Sequence, residues 1–183
     1  MSRSGTKSRH VPLRDYARVG GCVACALLVV LIASCASTGD MSAYPGTPPV
    51  FQKVITVQGQ TVGNIYSRTL RWTSDTFVSA KDAIEIQDKE SGLIAVRTSF
   101  QSVSYTLGAI AGGTYYITYK VKIEMQEGRV RITCDNPIFE YNSRGSSGQI
   151  ARPLTGMVNE YIDKANKLIA NYESYIGTAS ASW

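Results

Sequence analysis

The sequence predicts an α+β domain in which a largely antiparallel sheet of about five strands carries two helices on one face, in the order β-α-β-β-β-β-α. Two patterns carry this prediction. Apolar and polar residues alternate through residues 115–125, which is typical of a strand with one buried face. Residues 62–77 and 153–176 instead carry apolar residues at helical spacing. Because short hairpin connections join the strands, we expect an antiparallel sheet whose second face meets water.

The first two predicted elements are a strand over residues 50–57 and a helix over residues 62–77. Phe51, Ile55 and Val57 share one parity of the strand, which marks its buried side. Thr61 stands directly before the helical pattern, where its hydroxyl can cap the free amides. Residues 83–87 and 93–99 are predicted to form a hairpin, because the connection from Asp88 to Gly92 is short and ends in glycine.

The clearest predicted strand covers residues 115–125, and residues 126–128 turn it into another strand whose buried side includes Cys134. Pro137 limits how far that second strand can remain central, since proline has no amide hydrogen to donate. Residues 141–152 are predicted to form a polar loop. Pro153 then opens the longest helix, whose apolar stripe ends at Ile176.

The amino-terminal residues 1–34 have the organisation of a secretory signal peptide. Five Lys or Arg residues against the single acid Asp15 place +4 of the chain's net charge of +5 there. Residues 19–33 are uncharged and mostly apolar, and they are too few to span a bilayer comfortably, which takes about 20 residues. The basic balance of the chain is therefore no indication of nucleic-acid binding.

The junction Ile32-Ala33-Ser34-Cys35 resembles the bacterial lipobox. The resemblance implies cleavage before Cys35 and attachment of acyl chains, such as palmitate, to the new terminus, which would anchor the chain stably in a membrane. Ala36 follows the cysteine, and under the enterobacterial sorting rule this predicts the outer membrane, on its periplasmic or surface side. A leader cleaved elsewhere, and an uncleaved signal anchor with Cys35 as a bystander, are the alternatives.

These features divide the chain into four parts. They are a lipoprotein signal peptide (1–34), a lipidated terminus with a flexible tether rich in Gly, Pro and small residues (35–49), a single α+β domain (50–176) and a tail (177–183).

The composition of the exported part excludes most catalytic designs. His10, the only histidine, lies in the leader, so the exported chain cannot build a Ser-His-Asp or Cys-His pair or a histidine zinc site. Cys22 and Cys25 also lie in the leader, and their apolar neighbours indicate hydrophobic residues of the signal peptide rather than a redox or zinc motif. Cys134 alone remains, and its parity predicts a buried, inert thiol. We expect neither an enzyme nor a metal or cofactor.

Two segments resemble a known family: IYSRTLRWTSDTF from Ile65 to Phe77, and IEIQDKESGLI from Ile84 to Ile94. They resemble an uncharacterised family of bacterial secreted domains, frequent in Bacteroidetes, described as having a TATA-box-binding-protein-like fold. The resemblance covers roughly residues 51–141 and implies this fold, with no activity or site residue attached. DNA binding does not follow, because an exported lipoprotein does not meet the chromosome.

Two features of the exported part predict binding. One is a set of cations on the outer face of the sheet, opposed by Glu85 and Glu124, which could meet anionic lipid headgroups, a glycan or an acidic partner: Arg97, Lys120, Lys122, Arg129 and Arg131. The alternative is that these charged residues only solvate the exposed face of the sheet and bind no partner. The other is a tyrosine-bearing segment that contacts a protein partner if it projects, or joins the core if it folds back: Tyr105, Leu107, Ile110, Tyr115 and Tyr116.

The sequence therefore predicts a membrane-anchored lipoprotein of the bacterial envelope that acts as a non-enzymatic binding or scaffolding module with an envelope protein partner. The alternative is a carrier that holds a small apolar ligand between the sheet and the C-terminal helix.

Overall fold

The computed structural model describes residues 40, 42–77, 79–102, 113–143 and 146–177. These residues form six antiparallel strands: β1 (Phe51–Thr56), β2 (Ile84–Asp88), β3 (Leu93–Gln101), β4 (Thr114–Gln126), β5 (Arg129–Ser143) and β6 (Ser146–Gln149). The strands lie in the order β1-β5-β4-β3-β2, with β6 beside β5. They also form three helices: α1 (Val62–Thr76), α2 (Ala80–Ala83) and α3 (Thr155–Gly177).

The predicted α+β class and the order of its main elements are confirmed. The described residues add two elements to the prediction, the single-turn helix α2 and the short strand β6. The longest helix begins at Thr155, two residues after Pro153.

The start of α1 is capped as the sequence predicts. Thr61 has extended backbone angles, and its side-chain oxygen accepts a hydrogen bond from the Asn64 amide at 3.3 Å. The helix then buries one stripe against the sheet, including Ile65 and Trp72. Because the stripe follows the helical period, the opposite side of α1 faces water.

The predicted hairpin between β2 and β3 is also confirmed, with Asp88 and Gly92 at its two ends. The Asp88 carboxylate accepts the amides of Glu90 at 3.0 Å and Ser91 at 3.1 Å, which fixes the turn locally. Hydrogen bonds from Ser91 hold the pKa of Asp88 below its ordinary value. Gly92 has a φ of +65°, which an L side chain rarely adopts.

The core lies between one face of the sheet and the helices α1 and α3. Aromatic rings fill this space: Tyr161 packs edge-on against Phe51 and Tyr119, with centroids 5.7 and 5.4 Å away, and Trp72 packs against Tyr172 at 4.7 Å. The carrier hypothesis places its apolar ligand between the sheet and the C-terminal helix. The packed rings among the described residues count against that hypothesis.

Pro137 does limit how far β5 remains central, whereas the predicted loop over residues 141–152 needs correction. Strand β5 continues through Pro137 to Ser143, and part of the predicted polar loop 141–152 forms a hairpin with β6. Asn136 has a φ of +49°, and the register against β4 shifts between Thr118 and Lys120, so the chain bulges there. On its other side β5 pairs with β1 before this point and with β6 after it. Pro137 therefore lies where no ladder bond is required of it.

The predicted tether is also corrected, because its described part joins the folded body. Ala43 pairs with Leu154 as an antiparallel bridge, and the Tyr44 amide donates to the Pro153 carbonyl at 2.8 Å. The carbonyls of Ser42 and Asp40 accept the amides of Thr155 at 2.8 Å and Gly156 at 3.1 Å. The first amides of a helix have no partner within it, so this segment satisfies donors that α3 leaves open.

Several predictions concern residues outside the described part. They include the leader 1–34, the lipidation site Cys35, the four residues 36–39 that follow it, and the tail beyond residue 177. Among the helices that the structure describes, none combines the length and the apolar character needed to cross a bilayer.

Candidate functional site

The candidate site is the face of the sheet that α1 and α3 leave open. Cross-strand register decides which side chains share it, since directly opposed residues point to the same side. Arg97 opposes Lys120, and Arg131 opposes Glu124. The same parity brings together all of the cations that the sequence predicts for this surface: Arg97, Lys120, Lys122, Arg129 and Arg131.

Two carboxylates neutralise part of this charge. Glu85 on β2 pairs with Arg97 on β3 and with Lys120 on β4, the latter at 3.1 Å. Hydrogen bonds from Arg97 and Lys120 hold the pKa of Glu85 below its ordinary value. Glu85 therefore offsets part of the charge of two of the five cations.

Glu124 holds the second cluster. It pairs with Lys122 at 3.0 Å and with Arg131 at 2.7 Å. Slight desolvation raises the pKa of Glu124, but the hydrogen bonds from these two cations outweigh it, and the net shift is downward. Since one carboxylate serves two cations, this cluster keeps an excess positive charge.

Arg129 differs from the other four cations. Its Nε donates to the side-chain oxygen of Gln126 at 2.8 Å, and Gln126 is neutral. Among the described residues no ion pair offsets its charge. Arg129 and Arg131 stand two residues apart on β5 and point to the same side of the sheet.

A depression of about 390 Å³ lies between these two arginines. Val54 on β1 and Leu93 on β3 supply apolar walls, and the Val54 side is open to solvent, since that residue is 58% exposed. The remaining lining is polar or backbone: Ser91, Glu124, Met125, Gln126 and Val130. The site therefore combines positive charge with exposed apolar surface.

The predicted tyrosine-bearing segment is divided by the structure. Tyr105, Leu107 and Ile110 lie outside the described residues. Tyr115 is half-buried and packs against the core, whereas Tyr116 lies on the opposite side of β4, beside Gln101 and Glu140 in the ladder. The two tyrosines of this set that the structure describes thus do not share a surface.

The described cysteine and three tyrosines with raised pKa values lie away from the open face. Cys134 is fully buried on the core side, and burial, with a smaller contribution from the Asp135 charge, raises the pKa of its thiol to about 12. Burial likewise raises the pKa of Tyr119, Tyr161 and Tyr172. Within the described ranges no three His, Cys, Asp or Glu side chains gather closely enough to hold a metal ion.

Sequence reasoning found the cations but missed the depression. Its lining comes from β1, β3, β4, β5 and the turn before β3, which are distant in sequence. The available signal was Val54, which has the parity opposite to Phe51 and Ile55 and is therefore an apolar residue predicted to face outward.

Comparison with known proteins supports the architecture. Residues 51–140 match the family described as "Domain of unknown function (DUF4468) with TBP-like fold". A crystal structure of a DUF4468 family protein from Bacteroides ovatus ATCC 8483 is similar with a TM-score of 0.55 and 15% identity, covering 80% of this chain and 98% of that one.

A TBP-like protein from Parabacteroides distasonis ATCC 8503 is also similar, with a TM-score of 0.55 and 13% identity, covering 71% of this chain and 93% of that one. No curated protein matches the chain. At these identities the two structures bear on the fold alone, and the site rests on this chain's own residues.

Proposed function

We propose that this chain, whose residues 51–140 belong to the DUF4468 family with its TBP-like fold, is a bacterial envelope lipoprotein that acts as a non-enzymatic binding or scaffolding module. The anchoring half of the proposal is supported by the sequence, in which a cationic and then apolar leader ends at Ile32-Ala33-Ser34-Cys35. Acyl chains on Cys35 would hold the domain at a membrane, and Ala36 favours the outer membrane.

The observation that carries the binding half is the open face of the sheet. Helices α1 and α3 bury one face, while the other presents clustered charges and the exposed side chains of Val54 and Ile86, which are 58% and 42% accessible. A sheet face in water normally carries scattered polar residues. Apolar side chains beside the positively charged cluster of Lys122, Arg129 and Arg131 favour a surface that meets a partner.

The chemistry of the described side chains supports a role without catalysis. Glu85 and Glu124 are engaged by cations, and their pKa values are lowered, which is the opposite of what a general acid needs. The Cys134 thiol is buried and its pKa is raised, so it is a poor nucleophile.

Metabolic labelling with palmitate tests the anchor. We expect the wild-type chain to incorporate label and to partition into detergent, and the Cys35→Ser variant to lose the label. Cys25→Ser, which removes a thiol from the leader, is the matched control and should label normally. Label in Cys35→Ser, or an intact unacylated chain in the soluble cell interior, contradicts the proposal.

Affinity purification from detergent-solubilised membranes tests the binding role. We expect an envelope protein to co-purify with the wild-type chain and with Arg71→Glu, which reverses an exposed charge on α1. Arg131→Glu on the open face should lose that protein, because like charges repel across the contact. Equal recovery with both variants would exclude the open face as the binding surface.

A further inference from the structure

We propose that the depression between Arg129 and Arg131 binds an extended acidic peptide segment of a protein partner, with carboxylates on the arginines and an apolar side chain against Val54. The inference rests on the proposed function, because it names the partner chemistry of the same open face. It goes further in assigning one site and one class of ligand.

The charges around the depression select an anion. Arg129, Arg131 and the single carboxylate of Glu124 line the depression, and Glu124 is already paired with Arg131 and with Lys122 beside it. Arg129 contacts only the neutral Gln126 through its Nε, which leaves its terminal N–H groups without an acid among the described residues. A guanidinium presents paired donors that match a carboxylate, so a carboxylate ligand complements this charge.

The geometry of β5 selects an extended chain. Arg129 and Arg131 are alternate residues of one strand, so their Cα atoms are about 6.7 Å apart, twice the rise per residue. Alternate residues of an extended peptide have the same separation. Two acidic residues with one residue between them can therefore contact both arginines at once, one carboxylate on each guanidinium.

The shape and the apolar wall of the depression favour a peptide over the other candidate ligands, which are lipid headgroups and a glycan. A recess of about 390 Å³ is at the small end of ligand pockets, which hold roughly 300–1,000 Å³, and it accepts a protruding side chain better than a flat plane of headgroups. Val54 is 58% exposed and lies directly opposite Arg131 in the ladder, so it can lose further apolar surface to a water-excluding contact. An uncharged glycan would leave the arginines unmatched.

Titration of the full chain in nonionic detergent with a blocked pentapeptide Glu-Ser-Glu-Ser-Leu tests the site, because its alternate residues are two acids and one apolar side chain. Amide NMR signals report the contact. We expect shifts at Val54, Arg129 and Arg131, and at least tenfold weaker binding of the uncharged peptide Gln-Ser-Gln-Ser-Leu.

Variants locate the effect. Arg129→Gln and Arg131→Gln should each weaken binding of the acidic peptide about tenfold, whereas Arg71→Gln, the same change on an exposed position of α1, should leave it unchanged. Because all three substituted residues are exposed, the thermal unfolding midpoint of each variant should stay within about two degrees of wild type. An equal loss in Arg71→Gln, or shifts confined to other residues, would overturn the site.

Vesicles of phosphatidylcholine with one third phosphatidylglycerol provide the competing arm. Arginine-dependent vesicle binding without peptide binding would overturn the proposal in favour of a membrane-facing surface. Absence of both would also overturn it. The palmitate experiment on Cys35 is independent of these titrations, so a failed anchor and a failed peptide site are distinguished.

Discussion

Gly92 is the residue on which the β2–β3 hairpin depends most strictly. Its φ is +65°, and a Cβ built on it would lie 2.7 Å from the Met125 carbonyl oxygen and 3.1 Å from the Val62 side chain. The neighbouring backbone cannot withdraw freely, because the Met125 amide donates to the Gly92 carbonyl at 2.8 Å. We expect Gly92→Ala to lower the free energy of unfolding by about 2 kcal/mol or more, measured by urea denaturation.

Substitutions at two other glycines separate the cost of backbone strain from the cost of the close contact with Met125. Gly59 has a φ of +71° with open space around it, so Gly59→Ala should cost only the backbone strain of about 1 kcal/mol. Gly63 lies in α1 with open space and an ordinary φ, and Gly63→Ala should stabilise by about 0.5–1 kcal/mol. A cost at Gly92 no larger than that at Gly59 would show that the close contact with Met125 imposes no constraint.

At the residue scale the sequence predicted what local chemistry decides. The cap at Thr61, the glycine-ended turn at Gly92 and the burial of Cys134 each follow from residue type and parity, and each is confirmed. The sequence placed Glu85 and Glu124 on the face of the cations, but it did not predict which cations each acid would pair with. Glu85 and Arg97 are on different strands. Glu85 reaches two cations at once only because β3 pairs with β2 on one side and with β4 on the other.

At the scale of elements, Glu85 links three strands, since it lies on β2 and pairs with Arg97 on β3 and Lys120 on β4. These hydrogen bonds lower the pKa of Glu85 in the folded chain below its value of 4.5 in the unfolded chain. A lowered carboxyl pKa stabilises the fold above the unfolded pKa, and the contribution disappears as the pH falls through the folded pKa. We expect Glu85→Gln to destabilise at pH 7 and to match wild type near pH 2.

Urea midpoints measured from pH 7 to pH 2 for both proteins test this convergence. Glu90→Gln, which removes an exposed acid of the neighbouring turn, is the matched control. A difference between Glu85→Gln and wild type that persists undiminished at pH 2 would exclude the ion pairs as its cause.

The elements that sequence analysis missed share a physical explanation. Strand β6 has the sequence SSGQ, which carries no apolar alternation, so its pairing with β5 depends on backbone hydrogen bonds and on polar contacts such as that between the Tyr141 and Ser146 hydroxyls. Pro137 does lack an amide donor, as the prediction assumed, but the bulge at Asn136 places it between the β1 and β6 ladders. A single-sequence rule cannot know which neighbour strand will be present at that position.

At the scale of the whole molecule, the order of the main elements and the TBP-like fold could be predicted, because strong periodicity and the resemblance around α1 and the first hairpin agree with each other. The boundary of the folded body could not. Residues 36–49 have the composition of a linker, yet the described part of that segment is held by main-chain bonds to Pro153, Thr155 and Gly156. Composition reports on side chains, whereas this docking uses backbone groups that every sequence possesses.

This docking makes a prediction that distinguishes a tether from a structural segment. A chain that begins at Val50 lacks the carbonyls of Asp40 and Ser42, so the amides of Gly156 and Thr155 lose their acceptors, and Tyr44 no longer packs at the edge of the core. We expect its free energy of unfolding to be roughly 2–4 kcal/mol below that of a chain beginning at Asp40, from three lost main-chain bonds at about 1 kcal/mol each. Ser42→Ala in the longer chain is the control. It removes the exposed hydroxyl contacts with Thr155 and with the Asp40 carboxylate, and should change stability by less than about 0.5 kcal/mol. Equal denaturation midpoints for the two chain lengths would mean that residues 40–49 rest on the domain without stabilising it, and the folded body would then begin at β1.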